Sequence, residues 1–358
     1  MRDTRAIARA EGRCQRVSVI APNWLGDAVM SLPAISMLAS APGWSVSVLS
    51  SPYVARVFLN QPGVDDLCVD EHAGRARRVV NRTRVLRGSA PRVTVMFPPS
   101  FSSALPAWLA RVPQRIGFQA DGRGGLLTHG LPLPSREVHL VDSYVNLARA
   151  VIRDIGIDEG PPPTARLFVG DKDRESVWQR VGDVSSGGYV VIVPGAAFGP
   201  AKSWPAERYR ALCAELARHT RVILSGSAGD RSVCEHIAQS VPGVRSLAGK
   251  TTLGEMFALV EGARAVVAND SGAPHVAAAL GVPCVVLFGS TSPAWTAPRG
   301  EDVRVLQHKV HCNPCFRRTC PTQLECFNGI PVEDVRTAVL EALSHRARKP
   351  MPAGKGLG

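Results

Sequence analysis

Asp270, Ser271, Gly272 and His275 form a combination of side chains suited to holding an anion. They follow a strand-like apolar run, Ala265–Ala268, and open a small-residue helical stretch, Ala273–Leu280, beyond which a second buried run extends over Cys284–Leu287. That order puts the four residues at the carboxyl end of a strand and around a helix N-terminus, where free N–H groups and the helix dipole favour a bound phosphate. Open α/β sheets bind their ligands at that edge. A nucleotide diphosphate is the expected occupant, although a DSG turn also serves simply as a cap and a tight turn. Asp27 lies just past the first apolar strand, Val17–Ala21, and so takes the equivalent edge position in the first half of the chain, unless it is a helix N-cap.

These positions require a scaffold of alternating strands and helices. The first half reads as strands at Val17–Ala21, Ser45–Leu49, Leu67–Val69, Val93–Phe97 and Arg115–Phe118, with helices near Pro52–Leu59, over Arg75–Leu86 and over Leu140–Ile152. Pro33 predicts either a helix starting near Ser31 or a kink there. Asp158–Arg166, with three consecutive prolines, is the expected linker. The second half repeats the alternation, with strands at Tyr189–Val193, Arg221–Gly226 and Val303–Leu306 and helices at Ala206–His219, Asp230–Ser240, Leu253–Glu261 and Val332–Leu343. Two doubly wound α/β domains facing one another across a cleft is the expected architecture. The first strand is followed by PNWLGD and not by a G-x-G-x-x-G turn, which counts against a NAD-dependent oxidoreductase.

Length and composition agree with two soluble domains: 358 residues, 45% hydrophobic and 20% charged. No apolar run is long enough for a membrane span and the N-terminus lacks an apolar signal core, so a cytoplasmic location is expected. The formal net charge of +12 is inflated by tails with nine basic residues against two acidic ones, and no nucleic-acid fold signature accompanies it. A local asymmetry is more pointed. Between Glu71 and Asp121 there is no acidic residue, while nine arginines fall in the interval, enough for a solvated face, a polyanionic substrate or acidic lipid headgroups.

The blocks APNWLGDAVMSLPAI, PPSFSSAL, RIGF, PGAAFGPAKSWP and NDSGAPHVAAALGVPCVVLFGSTSP, in this order from about Val17 to Leu343, resemble those of the ADP-heptose:lipopolysaccharide heptosyltransferases, most of all heptosyltransferase II members. The resemblance implies a GT-B architecture of two facing Rossmann-like domains, an acceptor-binding one over 14–160 and an ADP-sugar-binding one over 166–343. It further implies inverting, metal-independent transfer of heptose from ADP-heptose to a lipopolysaccharide inner-core acceptor that carries a first heptose, at the cytoplasmic face of the inner membrane, with no cofactor and no nucleic-acid partner. A same-fold enzyme with another nucleotide sugar or acceptor, or a sugar-nucleotide epimerase, stays open.

Carried over residue by residue, Asp27 would be the base that takes the acceptor hydroxyl's proton, and Lys202 the cation on the donor phosphates. Asp270, Ser271, Gly272 and His275 would cradle the diphosphate and donor sugar, and Asp230 would reach the ribose unless it too only caps a helix. From charge and loop position, Ser100, Ser102 and Ser103 are candidates for acceptor hydroxyls, and Arg115 and Arg123 for acceptor phosphate or carboxylate oxygens. The remaining feature is C-x2-C-x4-C-x5-C, formed by Cys312, Cys315, Cys320 and Cys326. A structural metal and a packed or redox-sensitive thiol staple are both compatible with it, and Phe316–Arg318 within it is a candidate headgroup contact.

Overall fold

The computed structural model describes residues 15–71, 74–154, 160–181, 188–239 and 241–346; most of both basic tails and the start of the proline linker lie outside the described residues. The chain divides into two units between Phe168 and Val169. In the first, β1 (Gln15–Ile20), α1 (Leu25–Met30), α2 (Leu32–Ala39), β2 (Trp44–Ser50), α3 (Ala55–Phe58), β3 (Val64–Val69), α4 (Arg75–Ser89), β4 (Val93–Met96), α5 (Phe101–Leu109), β5 (Gln114–Gln119), β6 (His129–Pro132) and α6 (Leu140–Asp154) follow one another. The second contains α7 (Asp171–Val181), β7 (Tyr189–Val193), α8 (Ala206–Leu216), β8 (Arg221–Leu224), α9 (Arg231–Ala238), β9 (Val244–Ser246), α10 (Leu253–Glu261), β10 (Ala265–Asn269), α11 (Gly272–Ala279), β11 (Cys284–Phe288), α12 (Pro293–Thr296), β12 (Val303–Gln307), α13 (Glu325–Asn328) and α14 (Val332–Arg346).

Each unit is built on a six-stranded sheet, in the orders β3-β2-β1-β4-β5-β6 and β12-β11-β10-β7-β8-β9, and every pairing between neighbours is parallel. Both orders are doubly wound, with the chain reversing direction across the sheet between β1 and β4 in one unit and between β7 and β10 in the other. Strands covered on both faces must be apolar throughout, and β7, β10 and β11 are buried at every residue. The loops that follow β1, β4, β7 and β10 therefore carry the residues able to meet a ligand.

The expected helix around Pro33 is two helices. They meet at Ser31, whose hydroxyl donates to Ala28 O at 2.7 Å, and Pro33 occupies the first turn of α2, where a missing N–H costs no hydrogen bond. Strands β6 and β9 are short and α7 is highly polar, so none of the three stands out in the sequence; α7 buries only Val177 and Val181.

Candidate active site

In the second unit the loop between β7 and α8 carries Lys202, and one side chain anchors both ends of that loop. Asn269, fully buried as the last residue of β10, donates to Pro194 O at 2.7 Å and accepts from the Trp204 backbone N–H at 3.0 Å and from the Tyr209 hydroxyl at 2.9 Å. The sequence offered one signal for this role, a polar residue ending an otherwise apolar strand. The next residue, Asp270, is 5% exposed, and its Oδ2 accepts from Thr291 Oγ1 at 2.6 Å and pairs with Lys202 Nζ at 2.5 Å. Thr296 Oγ1 reaches the other carboxylate oxygen at 3.3 Å. A carboxylate so engaged would repel a phosphate, and its contacts make it the holder of Lys202.

Ser271 is the N-cap of α11, yet its side chain makes no capping bond, and its buried Oγ has no hydrogen-bond partner in the structure. The amides of Gly272 and Ala273 are thus not taken up by the cap residue, which is the condition for an anion site at a helix N-terminus. His275 is buried one turn further along α11. Asp230 is different: its Oδ2 accepts from the Ser227 backbone N–H at 2.8 Å and from Ser227 Oγ at 2.6 Å, closing a capping box. The capping alternative accounts for those contacts. The same carboxylate lies against Gly195 in the Lys202 loop, where there is no room for a Cβ.

In the first unit Asp27 is the third residue of α1, whose N-cap is Trp24, so Asp27 does not cap the helix. It stands past the carboxyl end of β1 at the switch point of its sheet. Tyr144 of α6, a residue the sequence did not single out, is buried and tilted against Phe97 at 4.8 Å between ring centroids. Its phenol is pushed well above the usual range, first by burial and then by the negative charge of Asp27. Asp27 is thereby placed within electrostatic reach of a buried hydroxyl.

The expected acceptor residues separate. Ser102 is exposed in the first turn of α5 and shares a 3.3 Å hydrogen bond with Ser100. Ser103 is buried; its hydroxyl donates to Pro98 O and Ser100 O at 2.8 and 2.6 Å and accepts from Arg123 Nη1 at 2.7 Å. Arg123 is 0% exposed and spends its guanidinium on Phe118 O and Pro98 O at 2.7 and 2.6 Å. Burial pulls its pKa down to about 10. A Cβ on Gly117 would lie 2.8 Å from Arg123 Nη2, so the glycine of RIGF makes room for this arginine. Arg115 likewise donates to Leu126 O and Val112 O at 2.7 and 2.6 Å. Both arginines thus hold backbone carbonyl groups, Arg123 those of Pro98 and Phe118 and Arg115 those of Val112 and Leu126.

The cysteine segment contacts the Lys202 loop. Arg318 Nε donates to Phe198 O at 2.9 Å, its guanidinium stacks 5.4 Å from the Phe198 ring centroid, and Arg318 O accepts from Ala201 N at 3.1 Å. Lys202 Nζ lies over the same ring at 5.4 Å, and Phe316 packs edge-on against Trp295 at 5.7 Å. The four cysteines line, with His311 and Ser290, a cavity of about 440 Å³, and all are free thiols. Among the described residues no three His, Cys, Asp or Glu side chains are grouped so as to hold a metal, so the structural-metal reading gains no ligand set.

The thiols differ in reactivity. Hydrogen bonds from Thr322, chiefly its hydroxyl 3.3 Å away, lower the pKa of Cys320, whereas burial pushes Cys213, Cys234 and Cys284 up to about 12. In native protein at neutral pH, iodoacetamide is expected to modify Cys320 at least about tenfold faster than those three, read by peptide mass spectrometry. Equal labelling would contradict the burial described here.

Residues 82–325 match the model of glycosyltransferase family 9 (heptosyltransferase). Lipopolysaccharide heptosyltransferase 2 of Salmonella typhimurium is 31% identical over 313 residues, covering 82% of this chain and 90% of that protein. The solved structure of E. coli ADP-heptose lps heptosyltransferase II superimposes with a TM-score of 0.79 at 28% identity, over 93% of this chain and all of the other. A family 9 glycosyltransferase from Veillonella parvula shares the fold at a TM-score of 0.80 and 20% identity, over 92% of this chain and 97% of that one. With its two parallel six-stranded sheets the chain has the GT-B fold expected of it, and it belongs to glycosyltransferase family 9, the heptosyltransferases.

Proposed function

We propose that this enzyme transfers heptose from ADP-heptose to the first heptose of a lipopolysaccharide inner core, the heptosyltransferase II reaction, at the cytoplasmic face of the inner membrane. The observation that carries the reading is the uncapped N-terminus of α11 with the Lys202 ammonium held by the adjoining Asp270, an amide-lined place with a fixed ammonium for a leaving diphosphate. The names of the similar proteins supply the donor and the acceptor.

In the proposed step Asp27 takes the proton of the acceptor hydroxyl as its oxygen attacks the anomeric carbon. The bond from that carbon to the diphosphate oxygen breaks on the opposite face, so the configuration inverts. ADP departs with the electron pair, and its new charge is met by Lys202 and the amides of Gly272 and Ala273. Ser271 Oγ, buried with no partner among the described residues, would donate to a phosphate oxygen, and in this reading His275 and Asp230 serve the donor's phosphate and ribose. The charge of Lys202 serves in the role a divalent cation has in metal-dependent transferases.

The test is to incubate purified protein with ADP-heptose and a heptose-bearing core acceptor, with and without EDTA, and to follow ADP. Release that depends on the acceptor and survives EDTA is expected. Turnover only with a different nucleotide sugar, or epimerisation of the donor without transfer, would overturn the proposal.

A further inference from the structure

The arginine-rich interval is resolved by the fold into two groups. Asp70, buried beneath α4, accepts from Arg82 Nε at 3.1 Å, pairs with Arg78 at 3.7 Å and accepts from Asn81 at 3.3 Å. Those side chains belong to the packing of the helix on its sheet. Arg75, Arg77, Arg84 and Arg87 point outward, and among the described residues none of them takes a carboxylate partner. Arg77, Arg84 and Arg87, seven and three residues apart, share a side of α4 with Val80, which is 57% exposed.

The stripe continues onto α5. Arg87 Nη2 donates to Leu109 O at 2.9 Å, tying the end of α4 to the end of α5. There Trp108 is 46% exposed, and its carbonyl accepts from the backbone N–H of Arg111, whose side chain is also exposed. The inner sides of the two helices are occupied by a separate apolar cluster that includes Leu86, Ala104 and Ala107. The outward side thus presents exposed guanidinium groups, of which Arg87 also ties the two helices together, interleaved with an exposed indole and an exposed valine.

We propose that this face of α4 and α5 docks on an anionic bilayer surface. Guanidinium groups are drawn to the negative potential of acidic headgroups, and an exposed indole flanked by arginines suits the headgroup boundary, where one part of the ring is wet and another apolar. A nucleic acid would meet the same charge but gives no reason for the exposed apolar side chains, and the face carries no nucleic-acid fold motif. The inference goes beyond the transfer reaction and does not depend on it.

Cosedimentation of the full chain with vesicles tests it, without donor or acceptor present. Vesicles of phosphatidylcholine with a third phosphatidylglycerol are expected to bind the protein, and pure phosphatidylcholine vesicles to leave it in solution. R77E/R84E should weaken binding by roughly 30-fold or more and W108A by about three- to tenfold; raising salt to 0.5 M should release the wild type. Both variants should keep the wild-type melting temperature, which separates lost docking from lost fold. Binding insensitive to these substitutions, equal binding to both vesicle types, or a stronger preference for a mixed-sequence DNA duplex than for the anionic vesicles would overturn the proposal. Because no transfer is measured, failure here leaves the reaction proposed above untouched, and an inactive protein that still binds vesicles would leave this proposal standing.

Discussion

Replacing Asp27 by Asn lowers the expected rate of transfer by about 10²–10⁴-fold, the range for loss of a general base, while ADP still binds. The amide keeps the size and hydrogen-bonding reach of the carboxylate but cannot take a proton. The structure narrows the alternatives for this residue: Trp24 is the N-cap of α1, so a loss of activity in D27N is not the loss of a cap. Calorimetric titration with ADP, beside single-turnover rates, separates the two effects. Transfer at the wild-type rate would remove Asp27 from the mechanism; loss of ADP binding in step with transfer would indicate a donor role instead.

The second large effect concerns Lys202. In K202M transfer should fall by about 10²–10³-fold, since a preorganised positive charge at the leaving group is lost. Stability should fall as well, because Asp270 is 5% exposed and Lys202 has 14% of its side chain exposed. Stranding one member of such a pair costs about 3 kcal/mol or somewhat more, although Thr291 and Thr296 continue to serve the carboxylate. The double variant K202M/D270N removes both charges and should recover most of the melting temperature without recovering transfer. Recovery of transfer in the double variant would show that Lys202 acts only by neutralising Asp270, and that the diphosphate is held by other groups.

The strands were legible where burial leaves no choice of residue. YVVIV, CVVLF and AVVAN up to its closing Asn269 are continuous apolar runs because a parallel strand covered on both faces admits a polar side chain only where hydrogen bonds satisfy it. Helix α7 was not legible because its sequence, DKDRESVWQRV, turns only two buried residues inward. At the site, residue types and their place after a strand were readable, but partners distant in sequence were not. Nothing in NDSG shows that Lys202 and Thr291 converge on the Asp270 carboxylate. Nor does the sequence around Arg115 and Arg123 show that the carbonyl groups of Leu126, Phe118 and Pro98 take up their guanidinium groups. Tyr144 gave no local sign at all and Arg318 was singled out only as a headgroup contact: one is a core aromatic on a helix, the other sits among cysteines, and only tertiary packing gives either a bearing on the site.

A single amide side chain in the sheet closes the Lys202 loop into a ring: both the carbonyl of Pro194 and the N–H of Trp204 end on Asn269. Inside the ring, Gly195 and Lys202 are held to one residue each, because a Cβ at the first would meet the Asp230 carboxylate and the second is the partner of buried Asp270, whereas a longer chain between such fixed points is only slightly harder to close. Variation in this loop is therefore expected between those fixed points, while the strand beneath it and the asparagine that ties both ends stay as they are.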